Sequence, residues 1–371
     1  VISLEKLGLT SIITKAINIT GFLLVLMLVV ERTLSPPQVY LNIARLIILT
    51  IFITSALSLP LVKKSKLLYK AIGVACIALY FIGIFVSELF LMASIAIIIA
   101  IVFIFIDTFT GFSITEDTQN EVFPLPAPSE RAGSIKIIMN CYITSILAFL
   151  NPFQFYQIIM QIIGMIGSSG LKNFKQKGNY SLPFEDEWLI MNGGIDQKDS
   201  HSWEVINQRY AYDFVMADSN NIRHINEGNK LTDYICFGKN ILSPADGEVM
   251  ATKNNVRDYP YPGTMKLDFL STDFRGNFVI IKHEENEYSF MAHFIPGSIR
   301  VKKGDYVKRG EVIGRCGNSG HSTEPHLHLH FQNRPSFYFA DGLPIKFSSL
   351  KVNGNFSSQT FIKKGERVAN K

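Results

Sequence analysis

Glu324-Pro325-His326-Leu327-His328-Leu329-His330-Phe331 alternates histidine with leucine, which is the period of a β-strand. His326, His328 and His330 should therefore project from one face while Leu327 and Leu329 enter a core. Three imidazoles in line point to a metal. Same-face neighbours on a strand lie roughly 6.5 to 7 Å apart and zinc takes its nitrogens at about 2.0 to 2.1 Å, so one ion recruits an adjacent pair and hardly all three. His328 belongs to either pair. Alone, the pattern is short and equally describes the exposed face of a His-rich strand; its surroundings decide.

All eight histidines of the 371-residue chain fall between His201 and His330, whereas the first two hundred residues are dominated by Ile, Leu, Phe, Val and Ala. This distribution joins a membrane part to a site-bearing part. Net charge is +5, with Lys and Arg scattered among acids and no aromatic-basic stripe, which argues against a nucleic-acid partner. Cys76 and Cys141 lie in apolar segments. Cys236 and Cys316 stand alone without C-x-x-C spacing, so neither a cysteine zinc site nor a disulfide framework is indicated.

Apolar stretches at 17–30, 41–62, 71–87 and 89–106 are long enough, or nearly so, to cross a hydrocarbon core of about 30 Å as helices. Lys15, Glu88 and Asp107 mark their edges, and the Glu31-Arg32 pair after the first run, with no small-residue cleavage pattern, reads as an uncleaved anchor. Residues 113–133 form a solvated loop. Ser134 to Leu150 is just long enough for a fifth span, ended by Asn151-Pro152. From Phe153 to Ile166, Gln154, Gln157 and Gln161 share a helical face opposite a wide apolar one, as in a helix lying in the membrane interface. Lys63, Lys64, Lys66 and Lys70 place their loop in the cytoplasm. Four spans leave the C-terminal domain inside and five put it outside.

From about Gly170 the chain becomes rich in Gly, Ser, Asn and Lys, and then in short β-branched or aromatic runs: 210–215, 247–252, 277–283, 288–294, 311–315 and 326–331. No long helical pattern separates them, so the domain should be antiparallel β. Ser243-Pro244-Ala245-Asp246-Gly247-Glu248-Val249 and the glycine-punctuated run from Val301 to Gly314 have the turns of a small barrel-sandwich. On those two runs a lipoyl-like or phosphocarrier module is as good a reading as an enzyme. A phosphorylatable His-x-Gly-x-Asp context is missing around Asp213, which argues against the phosphocarrier.

Gly317-Asn318-Ser319-Gly320-His321-Ser322-Thr323-Glu324-Pro325-His326-Leu327-His328 resembles the signature of the M23 (lysostaphin/LytM-like) zinc metallopeptidases. Tyr212-Asp213-Phe214 resembles the family's Asp-bearing strand, Ser243 to Val249 the strand after it, and Phe290-Met291-Ala292-His293-Phe294 its Tyr-Ala-His-Leu segment. The likeness covers about 200–333. It leaves the membrane part unexplained and implies an all-β peptidase domain acting on bacterial peptidoglycan peptides. With the apolar stretches, the expected architecture is N-terminal transmembrane helices followed by that C-terminal domain. The expected domains are a multi-span membrane part at 1–169, a linker and first loop at 170–200, the peptidase-like domain at 201–345, and a tail at 346–371. A family member that has lost ligands and serves as a wall-binding regulator is the alternative.

The resemblance implies Zn2+ held by Asp213 and His328, with His326 and His293 off the metal and serving the reaction. Zinc with three protein ligands and an open position lowers the pKa of a bound water to about 7. Imidazoles suit the proton transfers and oxyanion stabilisation that amide hydrolysis requires. His330, next on the same strand face, is a candidate to anchor a ligand's second nitrogen. One departure stands out. The family carries a histidine four residues before the aspartate, and here that position is Arg209, which has no free lone pair to give. His201, shortly upstream in Lys198-Asp199-Ser200-His201-Ser202-Trp203, has enough chain to fold back and is the expected third ligand; His224 is the reserve. The insertion from Asn254 to Arg275 either walls the substrate groove or is a surface excursion. Oligomeric state is not legible.

Overall fold

The structure, a computed structural model, describes residues 123–132, 134–166 and 174–371. The four N-terminal stretches expected to span a membrane, the lysine loop and the topology that rests on them lie outside the described residues. All described residues belong to one compact unit, Asn120–Lys371.

Three helices open it: α1 (Ala127–Glu130), α2 (Ser134–Leu150) and α3 (Pro152–Ile166). The break between α2 and α3 is local chemistry. Asn151 accepts the Phe153 amide on its side chain at 3.0 Å, and Pro152 takes the first helical position, where its missing N–H is not needed. The expected fifth span forms as a helix, but at 1.5 Å per residue its 17 residues reach only about 25 Å. No helix among the described residues is long and apolar enough to cross a membrane. Asn140 and Thr144, one turn apart, instead bond to Thr264 and Leu267 of the 254–275 insertion.

α3 forms over the stretch read as an interfacial helix. Its glutamine face does not turn to water. Gln154 donates to the carbonyls of Asp268 and Ser271, Gln157 donates to Thr272 and accepts from the Phe274 amide, and Gln161 donates to Asn207. Irregular loop backbone offers unpaired carbonyls and amides, and side-chain amides satisfy both kinds. The apolar face is the one left outward, with Phe153 60% and Tyr156 61% exposed.

The β domain holds an eleven-stranded sheet and a two-stranded one. The strands are β1 (Trp188–Asn192), β2 (Tyr212–Val215), β3 (Asn240–Leu242), β4 (Gly247–Lys253), β5 (Asn277–Glu284), β6 (Glu287–Phe294) and β7 (Tyr306–Val307). After them come β8 (Val312–Arg315), β9 (Leu327–Gln332), β10 (Gly342–Leu343), β11 (Phe347–Val352), β12 (Asn355–Thr360) and β13 (Arg367–Asn370). The main sheet runs β12-β11-β13-β1-β2-β9-β6-β5-β4-β7, β10 also pairs with β9, and β3 pairs with β8. All pairings between named strands are antiparallel. Each of the six runs expected as strands is found, with ends displaced by two residues or fewer. The stretch expected as a linker carries β1 and the buried Tyr180, Phe184 and Trp188. The stretch expected as a tail supplies β11 to β13, and β13 pairs with β1.

The β9 alternation is realised. Leu327, Leu329 and Phe331 sit in the main core with Tyr212, Phe214, Met291 and Phe347. The histidine side of the sheet is covered by a smaller cluster that includes Phe278, Phe290 and Phe337. Both faces of β9 are thus largely buried, with His328 and the preceding His326 keeping 7% exposure, the reverse of a solvated His-rich strand.

Candidate metal centre

Three adjacent strands build the site. Across β2–β9 Asp213 is directly opposite His328, and across β9–β6 His328 is opposite Ala292. His293, the next residue on β6, would point to the leucine side if alternation continued. It does not continue: His293 has φ +68°, and the β5–β6 register slips between Asn277 and Phe278. This bulge, at a left-handed backbone costing roughly 1 to 2 kcal/mol for a residue with a Cβ, turns the imidazole onto the histidine face. His293 and His326 then have ring centroids 4.6 Å apart, and His293 and His328 5.8 Å. His293, His326 and His328 each bring one nitrogen within 4.8 Å of the others.

Hydrogen-bond partners decide where the imidazole protons sit. His293 Nδ1 is 2.7 Å from the Ser319 carbonyl and His326 Nδ1 is 2.8 Å from the Glu324 carbonyl. A carbonyl only accepts, so both Nδ1 atoms carry hydrogen and, in the neutral rings, both Nε2 atoms keep lone pairs. For His328 a longer relay sets the tautomer. Gln332 Nε2 donates to the Arg334 carbonyl at 2.7 Å, which presents Gln332 Oε1 to His330 Nε2 at 2.9 Å; His330 Nδ1 then accepts from His328 Nε2 at 3.1 Å. His328 Nδ1 is left without a proton, facing Asp213 Oδ1 at 2.9 Å. Phe290 stacks on His330 at 4.8 Å and holds the relay in place.

The centre thus gathers three imidazole lone pairs and a carboxylate, all buried. Such a set needs a cation or a proton between its members. With protons alone, burial works to raise the Asp213 carboxyl, but hydrogen bonds and charge from His326 and His328 outweigh it and hold Asp213 well below the carboxylate range. Burial likewise lowers His326, yet its bond to Asp213 raises it overall. A dication would take lone pairs from the members that reach it, and N and O donors of this kind suit zinc.

His201 also reaches the centre, with Nδ1 3.7 Å from Asp213 Oδ2 and its side chain 67% exposed. Asp213, His201, His293, His326 and His328 are therefore brought together. His224 is placed elsewhere, its ring edge-on to Tyr234 at 5.9 Å. Arg209 anchors the loop that carries His201: its Nε donates to the Trp203 carbonyl at 3.0 Å and its guanidinium lies 5.2 Å over the Trp203 ring. The insertion flanks the signature loop, Asp258 accepting the Asn318 amide and the Tyr259 carbonyl accepting from the Asn318 side chain. Sequence reasoning missed Asn192, whose amide touches both Asp213 and His201; a lone Asn at a strand end carries no motif. It also missed Gln332, which was legible as the next same-face position after His330.

Residues 227–338 match the model of peptidase family M23. That span takes in His293, His326 and His328 but stops short of His201 and Asp213. The peptidoglycan DD-endopeptidase ShyA of Vibrio cholerae is 30% identical over 175 residues, 44% of this chain and 36% of that protein. ShyB of the same organism, also a peptidoglycan DD-endopeptidase, is 34% identical over 119 residues, 32% of this chain and 23% of that protein. Lysostaphin of Staphylococcus staphylolyticus is 62% identical over 29 residues, 8% of this chain and 6% of that one. The chain matches little more than a third of the first relative and under a quarter of the second. The antiparallel β domain is M23 peptidase-like.

Proposed function

We propose that the chain is a zinc metalloendopeptidase that hydrolyses peptide bonds of bacterial peptidoglycan, with His201, Asp213 and His328 as ligands and His293 and His326 acting on the substrate. The convergence of proton-free donors on one buried point carries this reading, because it is costly without a cation. Zinc bound there supplies an acidified water and a Lewis acid for the scissile carbonyl. His293 and His326, their outer nitrogens bonded to backbone carbonyls, offer Nε2 toward the centre. There each can take a proton from attacking water, donate to the carbonyl oxygen as charge develops, or return the proton to the leaving amine. The backbone anchors keep both rings oriented through those exchanges. The test is metal analysis of the purified full chain and mass analysis of wall peptides incubated with it. About one zinc with new amino termini supports the proposal, whereas wall binding with neither metal nor cleavage supports the regulator.

We propose further that the chain is a multi-pass bacterial membrane protein with its C-terminal domain on the wall side, where peptidoglycan lies. Since α2 does not span, this requires an odd number of spans after the lysine loop rather than the two read from the sequence. The apolar stretches before residue 107 support this, and so does the outward apolar face of α3, which would rest on lipid. A reporter fused after Lys371 that is active only in the cytoplasm would overturn it.

A further inference from the structure

β1 ends at Asn192, where the β1–β2 register slips and seats Asn192 opposite Asp213. The residue is buried, and both ends of its amide are engaged. Oδ1 accepts the backbone N–H of His201 at 2.8 Å, and Nδ2 donates to Asp213 Oδ2 at 3.1 Å. This orientation is forced, since a backbone N–H only donates and an ionised carboxylate only accepts. The chain turns back at once through Gly193, φ +124°, where a Cβ would stand 2.5 Å from the Tyr212 ring and 2.6 Å from the Ala211 carbonyl. The Gly193 amide then donates to the Asp199 carbonyl at 2.8 Å, which brings residues 199–201 beside the strand end.

We propose that Asn192 is a positioning residue for the metal centre, pinning the backbone of His201 so that its imidazole stands in for the histidine absent at position 209, and fixing the rotation of the Asp213 carboxylate. The proposal rests on the metal reading above. A histidine four residues before the aspartate would be positioned by its own strand; His201 lies on an exposed loop and has no such support. With its N–H held, the backbone of His201 is anchored beside the strand end, and its side-chain torsions bring the ring to the centre. With Asp213 Oδ2 held, Oδ1 is presented to His328 and His326. An aspartate at 192 would place a second negative charge beside Asp213, and an aliphatic residue would offer neither bond.

Zinc affinity of the full chain in detergent, measured by competition with a chromophoric chelator, tests this, together with the visible spectrum of the cobalt(II) form. Asn192→Ala should weaken zinc about tenfold or more, the range for residues that orient ligands, and should dim the cobalt bands. The same change in a His201→Ala background should cost much less, because the residue being positioned is gone. Asn192→Leu, which keeps the buried volume, should behave as Asn192→Ala and serves if the alanine variant does not fold. Any loss of stability in the metal-free Leu variant, from the His201 N–H and the Asp213 oxygen left without their bonds, should be the same in the parent and His201→Ala backgrounds. The loss of zinc affinity should not, which separates positioning from general stability. Zinc affinity within twofold of the parent, or an equal loss in both backgrounds, overturns the proposal while leaving the metal reading standing. A parent that binds no zinc overturns both.

Discussion

His328 Nδ1 faces Asp213 Oδ1 across 2.9 Å with its ring proton already on the opposite nitrogen, donated to His330. The contact is thus a lone pair against a carboxylate, a geometry made for a cation. Gln332 sets this arrangement from two hydrogen bonds beyond His328, and both it and His330 are fully buried.

Gln332→Leu removes the acceptor that selects the His330 tautomer. His328 is then free to carry its proton on Nδ1, where it competes with metal. Zinc affinity should fall about tenfold or more, and the stranded His330 N–H should cost about 1 to 3 kcal/mol of stability. Titration calorimetry and denaturant melts read the two effects. Unchanged affinity would remove the relay from the account.

His328→Ala should abolish zinc binding and activity together. His293→Ala and His326→Ala should abolish activity and largely spare zinc, since groups acting on the transition state can be removed without emptying a site. The three histidines also cluster closely enough to hold an ion among themselves. Equal zinc loss in all three variants would establish that set instead.

His201→Ala should lose most of its zinc, while His224→Ala keeps it. Arg209→Ala should show an intermediate loss through its hold on Trp203. Full zinc and activity in His201→Ala would mean that His201 is not the ligand.

Burial pushes His283 and His321 down to about 4 from an ordinary 6.5. Their folded pKa values lie below the unfolded ones, so between those values the unfolded chain binds more protons. The stability they contribute is whole above about pH 6.5 and is lost progressively toward pH 4. At pH 5 the loss is on the order of 1 to 2 kcal/mol for each. Denaturant melts of the metal-free protein at pH 7 and pH 5 should show it, and replacing both with asparagine should reduce the slope, the remainder coming from His201, His293 and His330, which burial also lowers. A slope as steep in the double variant as in the parent would refute this.

The alternation of His326 to Phe331 and the short runs bounded by turn residues determined the β domain from sequence. Period-2 burial is a local property of a strand, readable wherever one face must meet a core. The signature run likewise marked His326 and His328, and the resemblance placed Asp213 and His293 beside them. Tertiary structure decided what depends on partners far along the chain. Whether α3 turned its glutamines or its aromatics outward depended on the loop 254–275 having unpaired backbone groups to offer. That His293 reaches the site depended on a bulge, because strict alternation would have buried it among the leucines. That His201 approaches Asp213 depended on Asn192, a residue with no motif. Stretches read as linker and tail became β1 and β11 to β13 because a sheet edge gains hydrogen bonds from any strand that fits its register, and pairing between strands far apart in sequence leaves no periodic mark strong enough to read beforehand.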